Sequence, residues 1–262
     1  MNFFLAYSYL KYSLVARHAK GYGIHSPFIF DLVRDTIYDT NSFYAFEEIE
    51  AYREQLLKSK EKLEVIDLGV GSHKMDRHHR KVADLVRISS INKKYGELLF
   101  RLVYRFKPQT ILELGTSIGM STLYLSLPNK KADVFSIEGC ENTAHFAAQS
   151  LAKFGLSNVQ QVVGRFSDVL PDMVSKFETL DFVYIDGHHE RKATLDYFQL
   201  CLQKVNNDSI FVFDDIYWSQ GMSEAWEIIK NHPQVTVSID LFQLGIVFFK
   251  KECQKQHFIV RY

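Results

Sequence analysis

Hydrophobic and polar positions along the chain follow two rhythms. Compact apolar runs at Thr110–Leu114, Asp133–Glu138, Asn158–Val163, Leu180–Ile185 and Ser209–Phe213 read as strands buried on both faces. Between them, Met120–Leu127, Asn142–Phe154, Phe166–Lys176, Arg191–Gln203 and Ser223–Asn231 carry apolar residues three and four apart and read as helices. Pro128-Asn129 stops the first of these and Gly155 the second. Strands alternating with helices over short links predict a parallel α/β sheet. The last runs, Val235–Leu241 and Gly245–Lys250, are joined only by Phe242-Gln243-Leu244. That link is too short for a parallel crossover, so an antiparallel hairpin is expected at one edge. The pattern predicts a doubly wound, seven-stranded, mostly parallel Rossmann-like sheet.

Upstream the rhythm is helical. Tyr95, Leu98, Leu99, Leu102, Val103 and Phe106 place a helix over residues 93–106, ended by Lys107-Pro108. Phe46, Ile49, Tyr52 and Leu56, with Glu47, Glu48, Glu50 and Glu54 on the other face, predict an amphipathic helix within Phe43–Lys60. Gly21-Tyr22-Gly23 and His25-Ser26-Pro27 break an earlier helical stretch. The chain therefore divides into a mainly helical extension, residues 1–92, and an α/β domain, residues 93–262. One segment of the extension mimics a nucleotide loop: Leu63–Leu68 followed by Gly69-Val70-Gly71-Ser72. The basic run after it (His73, Lys74, Arg77, His78, His79, Arg80, Lys81) brings no apolar helix to pack back, so a loop bordering the site is expected. The run reads as a solvated face, a mobile lid or a patch for an anionic acceptor. As metal ligands its histidines lack a cysteine or carboxylate frame.

Composition sharpens this only in places. In 262 residues, 47% are hydrophobic and 14% aromatic, ample for a core. Lys+Arg and Asp+Glu both number 31, so overall charge gives no reason to expect nucleic acid. The cysteines, Cys140, Cys201 and Cys253, are odd in number and without metal-like spacing, which predicts reduced thiols in a cytoplasmic protein. The aromatic N-terminus, interrupted by Lys11, reads as a docking helix rather than a signal peptide or membrane span. A homodimer is compatible with the sequence and not decided by it.

The chemistry gathers at strand ends. After Ile111-Leu112-Glu113-Leu114 comes the glycine turn Gly115-Thr116-Ser117-Ile118-Gly119, then a helix, presenting N–H groups at the crevice where nucleotide-like cofactors bind. Glu138, at the tip of the next strand, is placed to accept the ribose hydroxyls of an adenosine-bearing cofactor. A dinucleotide site wants G-x-G-x-x-G against a pyrophosphate, whereas this turn has Ser117 at the middle position and Glu113 inside the strand. S-adenosylmethionine carries no pyrophosphate and is cationic at sulfur and nitrogen, so the turn favours it.

These motifs, E-L-G-T-S-I-G-M-S, I-E-G, Y-I-D-G-H-H-E and F-D-D-I, resemble those of class I S-adenosylmethionine-dependent methyltransferases. The likeness is to the O-methyltransferase branch with I-D-G-x-H after the fourth strand and D-D after the fifth, and covers about residues 93–250. It implies that Gly115, Ser117 and Gly119 shape the methionine pocket, with Glu113 near the amino group and Glu138 on the ribose. Gly164-Arg165-Phe166 would lie along the adenine, with Arg165 standing where many relatives carry an acidic or amide residue. Thr116, Ser121, Gly139 and Asp186 complete the implied cofactor set. The extension would cover the acceptor.

Asp186, followed by Gly187-His188-His189-Glu190, and the pair Asp214-Asp215 put three carboxylates at neighbouring strand tips. Crowded like charges call for a positive partner, and a hard divalent cation with oxygen ligands is the natural one. In metal-dependent O-methyltransferases the matching residues bind magnesium. The structural alternative has Asp215 capping a helix and Asp214 bonded to backbone. His188 or His189 could take the acceptor's proton, or bond a loop carbonyl. Tyr217 and Trp218 would sit beside the methyl group or simply pack the loop, whereas Trp226 and Phe198 fall on core faces. The sequence thus predicts S-adenosylmethionine-dependent O-methylation of a small-molecule or sugar-like acceptor, with Asp186, His188, His189 and Asp214 as catalytic candidates. The competing readings are an RNA or protein methyltransferase, for which an N-P-P-Y-type motif is missing, and a non-catalytic cofactor-binding protein.

Overall fold

The computed structural model describes residues 3–67 and 76–262. In chain order it runs α1 (Phe3–Val15), α2 (Pro27–Leu32), α3 (Tyr44–Leu57), β1 (Lys62–Asp67), β2 (Asp76–Lys81), α4 (Val82–Ser89) and α5 (Lys93–Phe106). Next come β3 (Thr110–Leu114), α6 (Met120–Ser126), β4 (Asp133–Glu138), α7 (Glu141–Lys153), β5 (Val159–Val163) and α8 (Phe166–Lys176). The chain closes with β6 (Phe182–Ile185), α9 (Arg191–Leu202), β7 (Ile210–Phe213), α10 (Gln220–Asn231), β8 (Val237–Asp240), β9 (Gly245–Phe248) and β10 (Gln256–Ile259). It divides into two compact units, residues 40–173 and residues 1–39 with 174–262.

In the unit of residues 40–173, β3, β4 and β5 run parallel, with Ile111 opposite Val134 and Val134 opposite Val159. Asn92 starts α5 by accepting the Tyr95 N–H at 3.2 Å, and Leu98, Leu99, Leu102 and Val103 on its inner face are fully buried. Glycine at position 96 lets α6 come close: a Cβ there would stand 2.3 Å from the Tyr124 ring. On α3, Phe46 packs on Phe100 with ring centroids 4.9 Å apart, and Arg53 Nη2 donates to the Ile91 carbonyl at 2.7 Å.

The basic run departs from expectation. Instead of a loop, residues 76–81 form β2, antiparallel to β1 from Lys62↔Lys81 to Asp67↔Asp76. Pairing overrides a composition that by itself looks only solvated. The glycines at 69 and 71 and the residues His73 and Lys74 lie outside the described residues. The hairpin is pinned beside the β4 end: Ile66 N–H points to Cys140 Sγ at 3.4 Å, and Asn142 Nδ2 donates to the Glu64 carbonyl at 2.8 Å.

In the other unit the strand order is β10-β8-β9-β7-β6. β6 and β7 are parallel, and β9 is antiparallel to both β7 and β8, as the short link required. That pair is not the edge, however. β10 runs parallel beyond β8, pairing Phe258 with Ile239. Only four residues long and half-exposed, it has too little apolar alternation to read from sequence. Its next residue, Val260, accepts the Tyr12 hydroxyl at 2.5 Å, so α1 is tied to this strand. Trp226 and Phe198 are core residues, as expected.

Candidate active site

The glycine turn is held from behind by a buried hydroxyl network. Glu113, fully buried in β3, accepts Ser121 Oγ on Oε1 and both Thr122 Oγ1 and Ser136 Oγ on Oε2, each at 2.6 Å. Thr116 Oγ1 lies 2.5 Å from Ser136 Oγ. Burial pushes the Glu113 carboxyl up, while the three hydroxyl donors pull it down. The side chains of Glu113, Thr116 and Ser121 are therefore spent on this network. They brace β3, β4 and the start of α6. Sequence reading missed Ser136 and Thr122, although a serine in the apolar run of β4 was a visible signal.

The turn itself needs unusual backbone. Gly115, Ser117 and Gly119 have φ of 108°, 47° and 87°, left-handed values that favour glycine. At Ser117 the conformation aims the N–H at Glu138 Oε2, 2.8 Å away. Cys140 N–H donates to Glu138 Oε1 at 2.9 Å. Glu138 thus spans the two loops, with lone pairs remaining for further donors, and burial pushes its carboxyl upward against these N–H donors. Gly164 N–H donates to the Glu138 carbonyl at 2.9 Å, which brings the Gly164-Arg165-Phe166 turn and Gly139 to the same strand end. Residues 115–119, 138–139 and 164–166 are thereby gathered at the tips of β3, β4 and β5.

In the other unit a second cluster gathers at the ends of β6 and β7. The Tyr184 hydroxyl lies 3.2 Å from Asp186 Oδ2 and 2.9 Å from Asp214 Oδ2. Asp214 Oδ1 accepts the Asp215 N–H at 2.8 Å. His189 Nε2 lies 3.8 Å from Asp186 Oδ1 and 3.9 Å from Asp215 Oδ2. Burial pushes Asp214 up to about 7, helped by Asp215, and burial pushes Asp215 to about 6. Burial lowers His189, opposed by Asp214 and reinforced by His188. His188, His189 and Asp215 all have left-handed φ (69°, 22° and 52°), the kind of strain that collects at functional loops.

His188 faces elsewhere, with Nδ1 3.2 Å from the Tyr197 hydroxyl. Asp215 does not cap α10, because Ser219 Oγ accepts the Met222 N–H there at 3.2 Å. Asp214 does bond backbone. Tyr217 turns away to donate to Asp240 Oδ2 at 2.6 Å and to stack on Phe242 at an interplanar angle of 16°, so it packs the loop. Trp218 is half-exposed with its ring centroid 6.1 Å from that of His189. Tyr184 and Tyr197 were missed; a tyrosine inside the run Phe-Val-Tyr-Ile of β6 was the available sign.

As a metal centre the cluster does not fit in this arrangement. Among the described residues no three His, Cys, Asp or Glu side chains are arranged so that they could hold a metal ion. Each Asp214 oxygen already accepts a protein donor, and an imidazole stands between Asp186 and Asp215.

Comparison with known proteins agrees with the geometry. A family described as a methyltransferase domain matches residues 112–216, from β3 through Asp214-Asp215. The probable O-methyltransferase of Mycobacterium tuberculosis is 33% identical over 161 residues, 54% of this chain and 68% of that protein. The catechol O-methyltransferase of Sus scrofa is 31% identical over 111 residues, 40% of this chain and 59% of that protein. Among solved structures, the O-methyltransferase from Bacillus cereus in complex with S-adenosylhomocysteine has a TM-score of 0.57 at 18% identity, covering 82% of this chain and 94% of the other. The chain belongs to the class I S-adenosylmethionine-dependent O-methyltransferases. Its fold is their doubly wound, mostly parallel type, and among the described residues β10 adds a strand that the sequence pattern does not predict.

Proposed function

We propose that this chain methylates a hydroxyl oxygen of a small-molecule acceptor, with His189 as the proton acceptor. The imidazole of His189 between the Asp186 and Asp215 carboxylates is the observation that carries this reading. S-adenosylmethionine, when bound, supplies an electrophilic methyl group. Gly115, Ser117 and Gly119 offer backbone to its methionine end, Glu138 accepts its ribose hydroxyls, and the Gly164–Phe166 turn borders its adenine. Asp186 orients the acceptor hydroxyl, whose proton moves to His189 Nε2. Burial favours the neutral imidazole, the form able to accept it. Asp214, held by Tyr184 and the Asp215 N–H, fixes the loop, and most of the acceleration comes from positioning.

In this reading residues 93–262 are the cofactor domain and residues 1–92 cover the acceptor. A cytoplasmic location is part of the proposal, supported by three free cysteines. Among the described residues no helix is long and apolar enough to cross a membrane. A second reading puts a divalent cation on Asp186, Asp214 and Asp215, favoured by three carboxylates at the ends of two paired strands, and it requires His189 to move aside.

The test is His189→Gln, assayed by methyl transfer to a panel of phenolic and sugar hydroxyls. The expected result is a kcat lower by about 10²- to 10⁴-fold with KM for the cofactor unchanged. His188→Gln should leave kcat within a few-fold, because that ring faces Tyr197. Equal loss from both variants sinks the assignment. Turnover should persist in EDTA; loss in EDTA restored by magnesium would install the second reading. Absence of cofactor binding by calorimetry defeats both.

A further inference from the structure

α1 presents an apolar stripe that none of the described residues covers. Phe3, Tyr7, Leu10 and Leu14 follow one another at intervals of four, three and four and are 86%, 61%, 58% and 75% exposed. That spacing puts all four on one face of the helix, the seam spacing of paired helices. The opposite face is engaged: Ser8 and Tyr12 are buried, and the Tyr12 hydroxyl donates to the Val260 carbonyl. Tyr9, on the flank, packs edge-on against Phe242 with centroids 5.0 Å apart. The helix is thus rigidly seated with its greasiest side outward.

We propose that this stripe is the interface of a homodimer, α1 lying antiparallel on α1 of a second copy about a two-fold axis between residues 8 and 9. The stripe is self-complementary in that register. Phe3 falls opposite Leu14 of the second copy and Tyr7 opposite its Leu10, so every aromatic ring meets a leucine and each pairing occurs twice. A two-fold interface requires this reciprocity, residue i on j and j on i. Parallel pairing would stack Phe3 on Phe3 and Tyr7 on Tyr7 and leave the alternation of large and smaller side chains unused.

Area and charge both select a second copy as the occupant. With aromatic side chains burying roughly 150–250 Å² each, the stripe offers about 500 Å² per copy, or about 1,000 Å² for the pair, near the lower bound for a specific interface. A lipid surface is the other natural taker of such a face. Interfacial helices, however, carry Lys and Arg along the polar side, whereas the only charged residue of α1 is Lys11 and its polar face is packed on its own chain.

The test is sedimentation velocity of the full-length chain over a concentration series. The wild-type chain should sediment at twice the monomer mass. Tyr7→Glu and Leu10→Lys should each raise the dimer dissociation constant by at least about 100-fold, because each buries a charge twice in the symmetric pair. An equal mixture of the two variants should recover dimers, since one variant's carboxylate then faces the other's ammonium; a misfolded variant could not be rescued in this way. A wild-type chain that is monomeric throughout, variants that still dimerise, or a mixture that stays monomeric overturns the proposal. So does wild-type protein that fails to self-associate but pellets with phosphatidylcholine vesicles.

Discussion

At the scale of single residues, two carboxylates of similar sequence context do opposite work. Glu113 faces inward and satisfies three hydroxyls; Glu138, at the strand tip, holds two loop N–H groups and keeps acceptor capacity for a ligand. Glu138→Ala should therefore weaken S-adenosylmethionine binding by about 10- to 100-fold in calorimetry, because hydrogen bonds to a charged group contribute about 1.5–3 kcal/mol each. Unchanged affinity would place the ribose elsewhere. Asp214 gives a pH signature. Its carboxyl is raised from 3.8 to about 7 by burial, so the folded state holds a proton more tightly than the unfolded one. Its contribution to stability is complete below about pH 4 and disappears as pH rises through about 7. In EDTA, the urea midpoint of the wild-type chain should fall relative to that of Asp214→Asn over this interval. Parallel curves for the two proteins would show that Asp214 is not held protonated.

At the scale of elements, the site depends on how closely α5 and α6 approach behind the glycine turn. Gly96→Ala would drive a methyl group into the Tyr124 ring, and Tyr124 is fully buried with no room to retreat. Overpacking of this kind destabilises by about 1–3 kcal/mol, so thermal unfolding should move down by several degrees. A variant as stable as wild type would mean that α5 can slide. Helix and strand boundaries in this region were legible because each element is long or strongly patterned. The polar β2 and the short β10 were not, since both owe their conformation to a paired neighbour: β1 for the first, β8 for the second.

At the scale of the whole molecule, the chain repeats one construction, a parallel strand ending in a turn that carries chemistry. Motif order along the sequence therefore already indicated an S-adenosylmethionine-dependent methyltransferase. The sequence by itself determined which strand ends carry polar groups, because a buried parallel strand must be apolar and its polar terminus stands out against it. It also determined that Ser117 replaces the glycine of a dinucleotide turn. Only the tertiary structure decided that Glu113, Thr116 and Ser121 face a buried network, that His189 rather than His188 stands among the carboxylates, and that Tyr217 belongs to the packing. Side-chain direction at a turn depends on φ and on the donors within reach, and those donors (Ser136, Tyr184, Tyr197 and the Asp240 carboxylate) come from distant points in the chain that only folding brings together.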